Sequence, residues 1–240
     1  MLLGIKTVEL GKRLGPNQAL AGVSLDLEAG RLHGVIGPDG AGKTTLLRTL
    51  MGLLRPDSGR LEYSRGGAIV PFAAVRPDMA YMPQQQSLYP DLSVAEHLEF
   101  FQHLYRLPDA VFRQRSAELL RATRLERFSD RRAGRLSGGM YKKLGLMCAL
   151  LQSPQALLLD EPTNGIDPIS RRELWDMLYR LVDGGVTVIV STAYMDEAER
   201  CGRVHLLDSG RILASGEPRA VLRQRGAASF EALFMPGGGP

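Results

Sequence analysis

Strict alternation through Val23-Ser24-Leu25-Asp26-Leu27, followed beyond Ala29-Gly30 by the apolar stretch Leu32 to Ile36, predicts two strands separated by a turn. A glycine-rich segment comes next. Leu46, Leu47, Leu50 and Leu53 then recur at helical spacing, so residues 42 to 53 are expected to form a helix opened by that segment. Between Gly59 and Gln84, the punctuation by Gly66-Gly67, Pro71 and Pro77 suggests short strands and turns, with Met79 to Met82 as a strand near the end. Ser93 and Glu96 stand at capping-box spacing ahead of an apolar face formed by Leu98, Phe101 and Leu104, which predicts a helix from Ser93 to Leu104. A second helix should run from about Ala110 to Ala122. Ser137 to Leu151 reads as a helix with a serine cap and two glycines at its start. Leu157 to Asp160 reads as a buried strand, Ile169 to Leu181 as a helix begun by Asp167-Pro168, and Val186 to Ser191 as another strand. This alternation argues for an α/β domain with a largely parallel sheet. The strandless stretch from Leu92 onward argues for an inserted helical subdomain over about residues 92–152.

Composition narrows this picture. A chain of 240 residues with 44% hydrophobic content can bury one substantial core, so a single domain over residues 1–234 is expected. The Gly/Pro run at 235–240 has no folding capacity and reads as a tail or linker. Apolar runs end within a few residues, far short of the roughly 20 a spanning helix needs, and the first residues lack the pattern of an export signal. Only Cys148 and Cys201 occur, which makes a disulfide scaffold or cysteine metal site a poor expectation and a reducing cytoplasm the better one. The net charge of +4 is modest, and the one arginine cluster (Arg121, Arg124, Arg127, Arg131, Arg132 and Arg135) reads first as a solvated face, with an RNA or membrane patch as the alternative.

The chemistry lies in two segments. Gly37-Pro38-Asp39-Gly40-Ala41-Gly42-Lys43-Thr44-Thr45 satisfies the G-x-x-x-x-G-K-[ST] pattern between a predicted strand and a predicted helix. Its glycines let backbone N–H groups curl around phosphate oxygens, and the helix N-terminus adds favourable dipole charge. Lys43 would neutralise the β- and γ-phosphates of ATP, and Thr44 would ligate Mg²⁺. Leu157-Leu158-Leu159-Asp160-Glu161 places two carboxylates at the carboxyl end of a buried strand, where doubly wound folds bind ligands. Asp160 would hold the Mg²⁺ shell, and Glu161 could polarise the attacking water.

With Leu136-Ser137-Gly138-Gly139-Met140 following the helical insertion and lying one helix before Asp160-Glu161, the chain resembles the ABC (ATP-binding cassette) ATPase family, whose signature is L-S-G-G-[Q/M/E]. The resemblance covers nearly the whole chain and implies a P-loop NTPase fold with an N-terminal antiparallel β region. It also implies that Ser137, Gly138 and Gly139 of one cassette close over the γ-phosphate held by a second. Gln84 in Tyr81-Met82-Pro83-Gln84 matches the family's Q-loop, whose side-chain carbonyl reaches Mg²⁺, and Gly165-Ile166-Asp167 matches the D-loop, which touches the opposite cassette.

Two positions depart from the family pattern. In Ser191-Thr192-Ala193-Tyr194-Met195-Asp196-Glu197-Ala198, Ala193 stands where the family carries its switch histidine, and Leu14 stands where an aromatic ring would stack on adenine. An alanine cannot hydrogen-bond a γ-phosphate or orient water, so slow hydrolysis at this chain's own phosphate loop is expected. The combination of the missing histidine, Gly37-Pro38-Asp39-Gly40, the Met140 signature, Asp167 to Leu174 and Tyr194-Met195-Asp196-Glu197-Ala198-Glu199-Arg200 resembles the first cassette of bacterial two-cassette ATPases serving multidrug-type ABC-2 exporters. That implies a second cassette and integral membrane permease subunits as partners, no DNA, and a peripheral position at the cytoplasmic face of the inner or plasma membrane. The alternatives are a soluble ribosome-associated ABC ATPase or a nucleotide-gated module with little turnover.

Overall fold

The computed structural model describes residues 2–85 and 87–234; the expected tail at 235–240 lies outside them. In chain order the elements are β1 (Leu3–Leu14), β2 (Asn17–Leu27), β3 (Leu32–Ile36), α1 (Lys43–Leu50), β4 (Ser58–Arg65), β5 (Ala68–Val70), α2 (Phe72–Val75), β6 (Met79–Met82), α3 (Val94–Tyr105), α4 (Asp109–Thr123), α5 (Gly138–Leu150), β7 (Ala156–Asp160), α6 (Pro168–Asp183), β8 (Thr187–Thr192), β9 (Arg203–Asp208), β10 (Arg211–Gly216), α7 (Pro218–Gln224) and α8 (Phe230–Phe234). Two sheets result. An antiparallel sheet has the order β2-β1-β4-β5, and a six-stranded sheet has the order β10-β9-β3-β8-β7-β6, parallel except for its β10 edge. No described helix is long and apolar enough to cross a membrane.

The central strands β3, β7 and β8 are buried at every position, which is why they read as unbroken apolar runs rather than alternating ones. One face of the six-stranded sheet packs on α6 through Leu174, Trp175 and Leu178, and α1 covers the other through Leu46, Leu47 and Leu50. Helices α3, α4 and part of α5 enclose a separate cluster around Val94, Leu98, Leu125, Leu144 and Met147. Leu146, Ala149 and Leu150 of the same α5 belong to the sheet's core, so this helix is common to both clusters.

Capping chemistry sets the helix starts. Ser93 accepts from Glu96 N while Glu96 reaches back to Ser93 N at 2.7 Å, completing the box at the head of α3. Asp167 caps α6 by accepting from Ile169 N and Ser170 N, with Pro168 in the first turn. Two sequence expectations are corrected. Leu104 is 59% exposed, because the buried face of α3 runs through Val94, His97, Leu98 and Gln102. Helix α1 stops at Leu50, since Gly52 takes a left-handed φ of 68° and leaves Leu53 outside. Strand β1 escaped detection because a bulge at Glu9 (φ 49°) breaks its alternation between Thr7 and Leu10.

One buried polar chain crosses the sheet. His33 of β3 donates through Nε2 to the Glu28 carbonyl (2.9 Å), which leaves its Nδ1 to accept from His205 Nε2 of β9 (3.1 Å); His205 Nδ1 then accepts from the Ser215 hydroxyl (3.0 Å). Each ring is satisfied only when neutral. Burial holds both below the usual histidine range, His205 down to about 3, with the His33 and Arg203 charges acting in the same direction on His205. The unfolded chain therefore binds protons that the fold refuses. The contribution of the pair to stability is full above about pH 6.5 and is lost as pH falls below it, by up to about 1.4 kcal/mol per pH unit for a ring that stays neutral in the fold, which for His205 extends down to about pH 3. Urea titrations should give a lower midpoint at pH 5 than at pH 7.5, and His205→Gln should flatten that dependence; an unchanged slope would contradict the assignment.

Candidate functional site

The phosphate loop spans the gap between β3 and α1. Gly40 (φ 80°) and Gly42 (φ 107°) take backbone conformations that side chains rarely adopt, and a Cβ at Gly42 would also strike the Ala19 carbonyl. At Gly37 an added Cβ would strike the Leu207 carbonyl, so the turn out of β3 requires glycine. Gly37 through Gly42 thus form one tight bend leading into α1, with Pro38 and Ala41 closing it through the Ala41 N to Pro38 O hydrogen bond. The Asp39 side chain at its tip is 90% exposed.

Lys43 is nearly fully buried and triply engaged. Its Nζ donates to Gly37 O (2.9 Å) and Pro38 O (3.0 Å) and lies 3.1 Å from Glu161 Oε1. Glu161, one residue past the end of β7, carries a positive φ of 47° in a non-glycine residue, a strained geometry of the kind that clusters at functional sites. Its N–H is held by both the carbonyl and the hydroxyl of Ser191, and its Oε2 accepts from Gln84 Nε2 at 2.8 Å. The Gln84 backbone carbonyl is in turn held by Lys142 of α5 at 3.1 Å. Asp160 is fully buried and accepts from Ser191 Oγ (2.6 Å) and Tyr81 OH (3.1 Å). Burial and the Asp160 charge push the Tyr81 phenol up to about 12, which keeps it a donor.

Lys43, Gln84 and Glu161 share an open cleft of about 520 Å³ with Asp39, Gly40, Gly42, Thr44, Thr45, Leu14, Asn17, Gln18 and Ala19, whereas the buried Asp160 is not part of its lining. Sequence reasoning did not find Asn17, Gln18 and Ala19 as site residues; the turn signal Gly15-Pro16 marks the hairpin that carries them, but nothing local says that it overhangs the loop. Ser137, Gly138, Gly139 and Asp167 do not line the cleft. They form a second group: Ser137 caps α5 by accepting from Met140 N, an added Cβ at Gly138 would crowd the Gly165 carbonyl at 3.0 Å, and one at Gly139 would collide with the Ser170 side chain. Backbone hydrogen bonds, chiefly from Ser170, hold the Asp167 carboxyl below the usual range. The exposed tip of α5 thus rests on the segment leading into α6.

Ala193 is half-buried just after β8, with Tyr194 beside it. The Tyr194 hydroxyl donates to Asn164 Oδ1 at 3.3 Å, and Asn164 Nδ2 donates to Glu161 Oε2 at 3.4 Å.

Comparison with known proteins matches the ABC transporter family over residues 20–164. Similar proteins include the probable multidrug ABC transporter ATP-binding protein YbhF of Escherichia coli K12, 46% identical over 88% of this chain but only 37% of that protein. The daunorubicin resistance ATP-binding protein DrrA3 of Streptomyces coeruleorubidus is 38% identical over 95% of this chain and 72% of its own length. The Nod factor export ATP-binding protein I of Ralstonia nicotianae is 39% identical over 89% and 67%. Against YbhF, therefore, the chain spans little more than a third of the relative's length. Among solved structures, an ATP-binding subunit of an ABC transporter superposes with a TM-score of 0.83 at 31% identity over 98% of both chains. A dimeric post-hydrolysis state of the cassette MJ0796 bound to ADP and phosphate superposes with a TM-score of 0.77 at 27% identity, covering 89% of this chain and 98% of that one. The match over residues 20–164, the similarity to DrrA3 over nearly the whole chain and the shared fold, together with the phosphate loop, the carboxylates at the end of β7 and the serine-glycine helix tip, make the chain a member of the ABC transporter family, one of its ATP-binding domains.

Proposed function

We propose that this domain binds Mg-ATP in the cleft over α1 and hydrolyses it while paired head to tail with a second cassette, driving an exporter of the ABC-2 type. The observation that carries this reading is the Lys43–Glu161 contact at the glycine loop, a cation and a candidate base that line the same open cleft. Lys43 would exchange the Gly37 and Pro38 carbonyls for β- and γ-phosphate oxygens. Glu161, released from the ammonium group, would accept a proton from the attacking water.

The oxygen donors available at the cleft suit Mg²⁺, a hard cation that favours such ligands. Among the described residues the Thr44 hydroxyl has no side-chain partner, and the Gln84 amide nitrogen is spent on Glu161, which leaves its carbonyl oxygen as the ligand atom. Asp160, already accepting from Ser191 and Tyr81, fits the role of orienting the ion's shell. When bound, Mg²⁺ supplies charge neutralisation of the phosphates.

Ser137, Gly138, Gly139 and Asp167 stand apart from the chain's own cleft, which supports their use against nucleotide on a partner cassette, as does the dimeric state of the MJ0796 relative. Lys142, anchored on α5 and bonded to the Gln84 carbonyl, would pass the presence of nucleotide to the helical region. The relatives named for multidrug, daunorubicin resistance and Nod factor export support an exporter with integral membrane permease subunits, the domain lying peripherally at the cytoplasmic face of the membrane.

The purified chain should bind Mg-ATP and turn it over slowly. Ala193→His should raise the single-turnover rate by about tenfold or more, in line with the worth of a positioned acid–base group. Failure to take up Mg-ATP would end the reading; an unaltered rate in Ala193→His would remove the account of slow turnover.

A further inference from the structure

We propose that Tyr194 is a positioning residue for hydrolysis, its hydroxyl orienting the Asn164 amide so that the amide nitrogen holds the Glu161 carboxylate. The inference rests on the reading of the cleft as a site of ATP hydrolysis, and it assigns a polar link to the base from the residue next to Ala193.

The polarity of the link follows from its ends. Glu161 Oε2 can only accept, so the Asn164 group facing it at 3.4 Å must be the NH₂. The opposite amide orientation would set two oxygens against each other. Asn164 Oδ1 then faces Tyr194, whose hydroxyl donates at 3.3 Å. Without that hydroxyl the exposed Asn164 amide has, among the described residues, no side-chain partner besides Glu161 to fix its orientation.

The tyrosine is itself held. The Arg171 guanidinium of α6 stacks over its ring, 4.5 Å from the centroid. Arg171 is pinned in turn by Glu197 (Nε to Oε1, 2.6 Å) and by Asp196 at 3.2 Å. Glu197 is fully buried, and its two oxygens also accept from Trp175 Nε1 and the Thr163 hydroxyl, both at 3.1 Å. The frame therefore ties three segments together: the one carrying Glu161 to Asn164, the start of α6, and the one following β8. Tyr194 is the member of this frame that reaches back toward the cleft.

Phenylalanine separates this role from simple packing, because it keeps the ring and its stack on Arg171 while removing only the O–H. In single-turnover assays with the full chain, Tyr194→Phe should lower the hydrolysis rate by about fivefold, the worth of one net hydrogen bond, with ATP affinity unchanged within about twofold. Asn164→Ala should have a similar effect, and the double variant should be no slower than the slower single, because the two act through one link. The thermal midpoint of Tyr194→Phe should match the parent. A parental rate in Tyr194→Phe, or effects that multiply in the double variant, would overturn the assignment while leaving the reading of the cleft intact. If the parent chain neither binds nor turns over Mg-ATP, the reading of the cleft falls and this inference with it.

Discussion

Lys43→Met will weaken ATP binding by about 100-fold, because truncating one partner of a buried, hydrogen-bonded charge pair commonly costs 2–5 kcal/mol. Methionine keeps the length and apolar body of the stem, so the loop should retain its shape. What disappears is the ammonium group, which sits 4% exposed at the mouth of α1 and is the one cation within 4 Å of Glu161 among the described residues. The same substitution leaves a nearly buried carboxylate whose remaining side-chain hydrogen bonds among the described residues come from the neutral amides of Gln84 and Asn164. The empty protein should therefore also lose stability, by about 1–3 kcal/mol, and a second change of Glu161→Gln should return part of it. Calorimetric titration with Mg-ATP and thermal melts of the single and double variants read both effects. Retention of parental affinity in Lys43→Met would contradict the phosphate-binding role.

Glu161→Gln should have the opposite signature. Hydrolysis should fall by about 100-fold or more, as expected on loss of a general base, while ATP affinity holds or rises. The rise has a structural origin: in the empty site Glu161 competes with phosphate for Lys43 at 3.1 Å, and a neutral amide competes less well. Rapid-quench measurement of phosphate release and equilibrium binding of ATP to the same variant separate the two quantities. Parental turnover in Glu161→Gln would move the base elsewhere, and weakened ATP binding would contradict the competition.

Much of the fold was legible because its signals are local. Ser93 with Glu96, Ser137 with two glycines, and Asp167-Pro168 each mark a helix start by capping chemistry that needs only three or four neighbouring residues. Strands β3, β7 and β8 announced themselves as short apolar runs because both of their faces are covered. Strand β1 was hidden by its bulge, and α2, four residues long, is too short to show a period.

The candidate site divides the same way. The phosphate loop and the Asp160-Glu161 pair are each a continuous run of residues, and the phosphate loop carries its own pattern. The partners that fix these groups come from afar: Tyr81 and Ser191 on Asp160, Lys142 on Gln84, and Tyr194 on Asn164. Each of those residues is an ordinary tyrosine, serine or lysine until the parallel sheet brings the ends of β6, β7 and β8 side by side. The stretch from Ser137 to Gly139 owed its reading to resemblance, since locally it is a helix cap and nothing more.

Helix α5 bears on how such a domain could transmit motion. Leu146, Ala149 and Leu150 are wedged against the sheet while Leu144 and Met147 grip α3 and α4, so neither cluster can shift without torque on this one rod. It packs along β6, and its tip, resting on the 165–170 segment, carries Ser137. A tilt imposed on the helical region would therefore bear on both the serine-glycine tip and the segment before α6 on which that tip rests.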